Sequence, residues 1–207
     1  MLQLYGKSSS INVRKVLWLC DELPLAYEQH AYGSGFAPVD TEPFRRLNPN
    51  AQVPVIRDGD FVLWESNTIC RYLAARERRA DLLPDDPRER AQVEQWMDWQ
   101  ATDLNTAWRY VFMARVRRSP AYPDAVAAEA SLAQWNGLMA ILDAQLARTG
   151  AYVAGPAFGL ADIVLGLSTQ RWRMTPGDKP ALAAVEAWFA RLCERPGFRR
   201  HGCNGEP

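Results

Sequence analysis

The sequence predicts an α/β unit followed by an all-helical unit, and three observations carry that prediction. The first eighty residues alternate short apolar runs with segments of helical periodicity, the pattern of helices packed on a sheet. A stretch from Asp81 to Pro87, DLLPDDP, then breaks the composition with two prolines and a run of acidic residues. Beyond it no segment shows the period-two alternation of a strand, and long helical patterns follow one another as far as Glu194.

Leu2 to Tyr5 reads as the first strand. From Ile11 the apolar residues Val13, Val16, Leu17, Leu19 and Cys20 recur at helical spacing, with Ser10 or Asn12 available as N-cap and Pro24 past the end. Tyr27 to Ala31 forms a second strand, followed by the polar loop Gly33-Ser34-Gly35. A short helical piece from Thr41 to Leu47 ends at the turn signal Asn48-Pro49-Asn50. In VPVIRDGDFVLW two β-prone runs meet at Asp58-Gly59, a cue for a tight hairpin, so antiparallel strands close the unit. ESNTICRYLAARERR is a third helix. The order βαβ, short helix, ββα gives a mixed four-stranded sheet over residues 1–80. Residues 88–207 form the second unit, with helices at about Pro87 to Arg117, Asp124 to Thr149, Leu160 to Met174 and Pro180 to Glu194.

Composition narrows the functional classes. The 24 basic and 24 acidic residues cancel, so no overall field draws in nucleic acid or an anionic membrane. The four cysteines form no C-x-x-C pair and do not cluster with the two histidines, which argues against a zinc site, a redox dithiol or a disulfide framework. No stretch approaches the roughly 18 apolar residues of a membrane span, and MLQLYGKSSS lacks the charged and apolar regions of a secretory signal. A cytoplasmic protein whose partner is a small molecule or another protein is the expectation.

Four local features bear on that partner. The turn YGKSSSIN places hydroxyls where strand 1 meets helix 1, and a helix N-terminus stabilises an anion set against it. A thiolate is such an anion, and a hydroxyl donating to sulfur would raise its population above the few per cent that an ordinary thiol shows at neutral pH. Ser10 could equally be nothing more than the helix cap. Gln52-Val53-Pro54 stands at the hairpin entrance, where a cis bond before the proline, which spacing alone does not establish, would turn main-chain groups outward to pair with an extended peptide. Glu65-Ser66 opens helix 3, where a carboxylate can accept from an ammonium while Ser66 and free N–H groups receive a carboxylate, a fit to an α-amino acid end. The plainer reading of that pair is an acidic first turn with a serine cap. Asp162, three residues after Gly159, reads as part of a helix start with no chemistry. Trp96, Trp99, Trp108 and Phe112 form an aromatic stripe of the kind more often buried as core than used to hold a ligand.

Taken together, LYGKSSSINVRKVLW, NPNAQVPVI, WESNTICRYLA and AYVAGPAFGLADIVLG resemble the corresponding segments of bacterial cytosolic glutathione transferases, nearest the theta-like group, over essentially the whole chain. The resemblance implies a thioredoxin-like first unit that binds glutathione as co-substrate, a helical unit contributing the electrophile pocket, and a homodimer. It also implies a cis bond between Val53 and Pro54. Ser10 matches the catalytic serine of theta and delta enzymes, and Asn12 matches an asparagine used in the nu group. Gln52, Val53, Pro54, Glu65 and Ser66 match the glutathione-binding positions. Trp108, Arg109, Phe112 and Trp172 are the candidates for the electrophile pocket. The family implies conjugation of the glutathione thiolate to an electrophile; a glutathione-dependent peroxidase or disulfide reductase, or a non-catalytic scaffold, are the alternatives. Gly159 departs from the Ser or Thr usual at that cap. The first turn holds no cysteine, unlike the omega and beta arrangements.

Overall fold

The computed structural model describes all residues, 1–207. Strands β1 (Leu2–Tyr5), β2 (Tyr27–His30), β3 (Val55–Asp58) and β4 (Phe61–Trp64) make one sheet in the order β2-β1-β3-β4. β1 runs parallel to β2, with Leu4 opposite Gln29, and antiparallel to β3, with Leu4 opposite Ile56. The β3–β4 hairpin turns at Asp58-Gly59, where Gly59 has φ +61, a value a side chain would oppose. α1 (Ile11–Glu22) and α3 (Ser66–Arg76) pack together, while α2 (Glu42–Leu47) leads into the loop before β3.

The helical unit comprises α4 (Pro87–Trp99), α5 (Asn105–Arg115), α6 (Ala125–Thr149), α7 (Leu160–Met174), α8 (Ala183–Cys193) and α9 (Pro196–His201). Two starts follow from acidic caps: Asp86 accepts from the N–H groups of Arg88 and Glu89, and Asp124 from those of Val126 and Ala127. The single helix predicted from Pro87 to Arg117 is interrupted by a π-helical turn at Gln100–Leu104 and ends at Arg115. Such turns recur at functional sites. Here the widened coil coincides with a buried Gln100, whose amide is engaged on both ends. Helix α9 is not predicted from the sequence because six residues carry too little periodicity. Pro196 at its first turn and Phe198 are its only signals, and Phe198 packs with its ring centroid 4.6 Å from that of Trp18.

The two units share one core. Trp18 of α1 lies between Phe198 and Phe158 of the helical unit, and the connected cluster of 42 buried apolar residues runs from Leu2 to Phe198. The segment joining the units, whose prolines and charges suit a linker, is partly buried. Leu82 and Leu83 are buried in it, and the Leu82 carbonyl accepts from the Leu160 N–H at the start of α7. The acidic and proline residues face outward around those two leucines. No helix is long and apolar enough to cross a membrane.

Candidate functional site

The cleft begins at the turn between β1 and α1. Gly6 has φ +151, and a Cβ there would lie 2.5 Å from Val13 Cγ2, so only glycine lets the turn close on the helix. Ser10 is the residue that caps α1 in position but not in chemistry: it is extended (φ −82, ψ 123), yet its hydroxyl makes no cap hydrogen bond. Its carbonyl accepts from Arg14 N–H at 2.9 Å, as a cap carbonyl should, and Oγ is left to the cleft. Asn12, in the first turn of the helix, faces the same space.

A second helix end meets the first. Glu65 precedes α3 with φ +74, an unfavourable value for a residue with a side chain, and its carboxylate is exposed and makes no cap bond. By helix geometry the N–H groups of Ser66, Asn67 and Thr68 have no partner within α3. Opposite them, the Val53 main-chain N–H and C=O take no part in any backbone or side-chain hydrogen bond of the fold, and the Val53-Pro54 bond is cis. Asn48 shapes this loop from beneath. Buried, it donates to the Gln52 carbonyl at 2.9 Å and accepts from the Asn50 N–H at 3.0 Å. Asn12, Asn48, Gln52, Val53, Pro54, Glu65 and Ser66 thus line one narrow recess, which is continuous with the main cleft because Asn12, Gln52 and Val53 border both.

Under that recess sits Lys15, buried, with Nζ 2.7 Å from Gln100 Oε1, 3.0 Å from Asn67 Oδ1 and 3.5 Å from Ser66 Oγ. Burial pulls its pKa down to about 7, with Arg171 adding to the fall and Cys70 and Glu65 opposing it. The far wall comes from α5 and α7. Trp108, Arg109, Phe112, Met113, Arg117 and Arg171 close a cleft of about 410 Å³ between the two units. Of the four pocket candidates, Trp108, Arg109 and Phe112 stand in this wall. Trp172 does not. It is turned into the helical core, where its indole N–H donates to Asn136 Oδ1 at 2.8 Å, and the preceding residue, Arg171, takes the place facing the cleft. The aromatic stripe is split: Phe112 and Trp108 border the cleft, whereas Trp96 and Trp99 face a surface groove with Ile141. Lys15, Asn48 and Arg171 were not among the sequence candidates.

Two helix N-termini, a free hydroxyl, an unpaired main-chain segment and an interdomain wall therefore surround one groove. The family model of the glutathione S-transferase N-terminal domain matches residues 1–75, and that of the C-terminal domain matches residues 104–196. The chain belongs to the glutathione S-transferase family. It is 39% identical over 205 residues to glutathione S-transferase GstB of Escherichia coli K12, covering 97% of each chain. It is 33% identical to glutathione S-transferase 3 of Zea mays, covering 96% of this chain and 92% of the relative. Among solved structures, the glutathione-bound theta-class enzyme of Xanthomonas axonopodis pv. citri superposes with a TM-score of 0.90 at 40% identity, covering 97% and 96% of the two chains.

Within this glutathione S-transferase fold, Asp162 is the structural residue its position suggests. Wholly buried, it accepts from the N–H groups of Gly159 (2.9 Å) and Val153 (3.0 Å) and from the Trp188 indole (2.8 Å). Burial pushes its pKa up to about 6 against the pull of those donors. The carboxylate thereby ties α7, α8 and the preceding loop together. Gly159 fits because a side chain there would come within 3.1 Å of the Leu82 carbonyl oxygen.

Proposed function

We propose that Ser10 donates a hydrogen bond to the sulfur of glutathione, holding it as a thiolate at the N-terminus of α1 for attack on an electrophile seated against Trp108 and Phe112. The transferase reaction itself is that of the family to which the chain belongs. The observation that carries the Ser10 assignment is its uncommitted hydroxyl: a serine at a cap position that makes no cap bond is available to a ligand. Glu65, Ser66 and the free N–H groups of α3 receive the ammonium and carboxylate of the γ-glutamyl end, and Val53 pairs with the extended tripeptide. Gln52 borders both parts of the groove. Positioning of this kind turns an encounter of two solutes into an oriented reaction. The residues present suit glutathione: they offer donors to both carboxylate and thiolate and a carboxylate to the ammonium.

Asn12 favours a second reading, since it borders both the recess and the cleft and could be the sulfur partner of a peroxidase or disulfide reductase. Turnover of an aryl halide, a hydroperoxide and a mixed disulfide, each with wild type and Ser10→Ala, separates the two. Conjugation dominant and dependent on Ser10 supports the serine assignment; reduction dominant and indifferent to Ser10 overturns it.

Trp96 and Trp99, edge to face at 5.2 Å, form with the half-exposed Ile141 an apolar groove on α4 and α6. Its occupant is a second copy of the chain, making a homodimer that works in the cytoplasm to remove electrophiles. Light scattering should give twice the 23.4 kDa of one chain, and a monomer mass would count against it.

A further inference from the structure

Arg171 is a buried cation lining the cleft that the fold leaves without a counter-charge. It is only 4% exposed, forms none of the molecule's ion pairs, and has a buried Nε with no hydrogen-bond partner. Its guanidinium carbon lies 4.1 Å from the Phe112 ring centroid and 4.6 Å from that of Trp108, so the two aromatic faces hold it in place. Arg14, another buried arginine, also has an unpartnered Nε but differs in its terminal nitrogens, which donate to the carbonyls of His201, Glu206 and Pro207 and to Asn204 Oδ1.

The surroundings reinforce the sign. Lys7, Arg109, Arg117 and Arg171 line the cleft, and none of its sixteen lining residues is acidic. Arg117 also approaches Phe112, its guanidinium carbon 5.4 Å from the ring. Burial, and then Arg14 and Arg117, pull the Arg171 pKa down to about 9. An arginine buried among other cations and lacking an anion is costly to the folded chain, and an anion entering the cleft removes that cost.

We propose that Arg171, with Arg117 at the rim, forms an anion subsite that selects electrophiles carrying a carboxylate or sulfonate on a flat, preferably aromatic, frame. The aromatic pair sets the plane, and the guanidinium receives the acid group in the two-pronged manner suited to a carboxylate. The inference rests on the conjugation reading and specifies the substrate class of that site.

A matched pair tests it: 4-chloro-3-nitrobenzoate against 4-chloro-3-nitrobenzamide, which share leaving group and shape and differ in charge. Because the amide activates the ring more than the carboxylate does, each kcat/KM is taken relative to the uncatalysed reaction with glutathione; the expected result is a ratio favouring the benzoate in the wild type, falling about 10- to 100-fold in Arg171→Gln, as loss of a hydrogen bond to a charged group implies. Arg117→Gln should lower the ratio less. An unchanged ratio in Arg171→Gln overturns the proposal. So does an equal loss for both substrates with a raised glutathione KM, which would assign Arg171 to a carboxylate of glutathione. Wild type alone gives an independent measurement should the variant not fold: 3-nitrobenzoate should inhibit turnover of 1-chloro-2,4-dinitrobenzene more strongly than 3-nitrobenzamide, and equal inhibition overturns the subsite. The thiolate absorbance of the glutathione complex, recorded without electrophile, reports on the underlying conjugation reading separately.

Discussion

Replacing Ser10 by alanine separates the two roles that a serine at a helix start can play. As an N-cap, its loss would cost about 1 kcal/mol of stability, which for a chain of 207 residues lowers Tm by roughly 2–4 °C. In this fold the Ser10 hydroxyl makes no cap bond, so the stability loss should be well below that figure. As donor to a thiolate, its loss removes a hydrogen bond to an ionised group, worth about 1.5–3 kcal/mol. At about 1.36 kcal/mol per pKa unit, the bound thiol should titrate roughly one to two units higher. Below that titration the thiolate population, and with it the conjugation rate, falls about 10- to 100-fold, whereas glutathione affinity, set mainly at α3, changes little. Ultraviolet thiolate absorbance of the enzyme–glutathione complex against pH reads the shift directly, and thermal unfolding reads the cap. A full cap-sized Tm loss with an unmoved titration would show that Ser10 is only a cap. A titration moved by Asn12→Ala and not by Ser10→Ala would transfer the role to Asn12.

Three further outcomes are expected. Glu65→Ala removes the carboxylate proposed to accept from the γ-glutamyl ammonium and should weaken glutathione binding by about 1–3 kcal/mol, the range of a charge-assisted hydrogen bond; an unchanged Kd by calorimetry would remove Glu65 from that site. Lys15 has a folded pKa near 7 against about 10.4 unfolded, so between those values the unfolded chain binds more protons. Stability should therefore climb as pH rises from about 7 towards 10, and Lys15→Met should flatten that climb; identical slopes in chemical unfolding would contradict the assignment. Asp162→Ala leaves three buried donors unsatisfied, each costing about 1 kcal/mol or more, so Tm should fall by roughly 6–12 °C, and a fall of only a degree or two would mean that water or a shifted loop replaces the carboxylate.

The candidate site was legible wherever its chemistry is local. Ser10 and Asn12, the Gln52-Val53-Pro54 entrance and the Glu65-Ser66 pair each sit at a turn into a helix or strand, and a few neighbouring residues determine what they present. What the helical unit contributes depends on rotation, and there sequence fails for a physical reason. Every residue of α7 from Leu160 to Trp172 is buried, so no polar stripe reveals which way any of them points. Arg171 and Trp172 are about 100° apart on the helix, and only packing decides that the arginine meets the cleft while the indole reaches Asn136. The predicted helix from Pro87 to Arg117 hid its π turn for a related reason: one extra residue in a turn leaves the apolar period nearly intact on either side. Composition also misread the segment around Leu82, because two buried leucines within an acidic, proline-rich run are outnumbered by their neighbours.

That π turn joins the two walls of the cleft. From Ser66 in the narrow recess, a continuous polar chain runs through Lys15 Nζ to Gln100 Oε1 (2.7 Å) and from Gln100 Nε2 to Asn105 Oδ1 (2.9 Å), an oxygen that also accepts from the Trp108 indole N–H (3.0 Å). Gln100 also donates to Ser168 Oγ of α7 at 3.0 Å, three residues before Arg171. Leaving a buried polar group unpartnered is costly, and here each satisfies the next, so none can turn without orphaning a neighbour. A regular helix over Gln100–Leu104 would rotate Gln100 and Asn105 relative to one another by about one residue's turn, and a single side chain could no longer serve Lys15 on one side and Asn105 on the other. The irregularity is thus what allows α1 and α3 on one side of the cleft and α5 and α7 on the other to be placed by one network of shared partners, so that on the proposed reading the sulfur and its target would be aligned by the same residues.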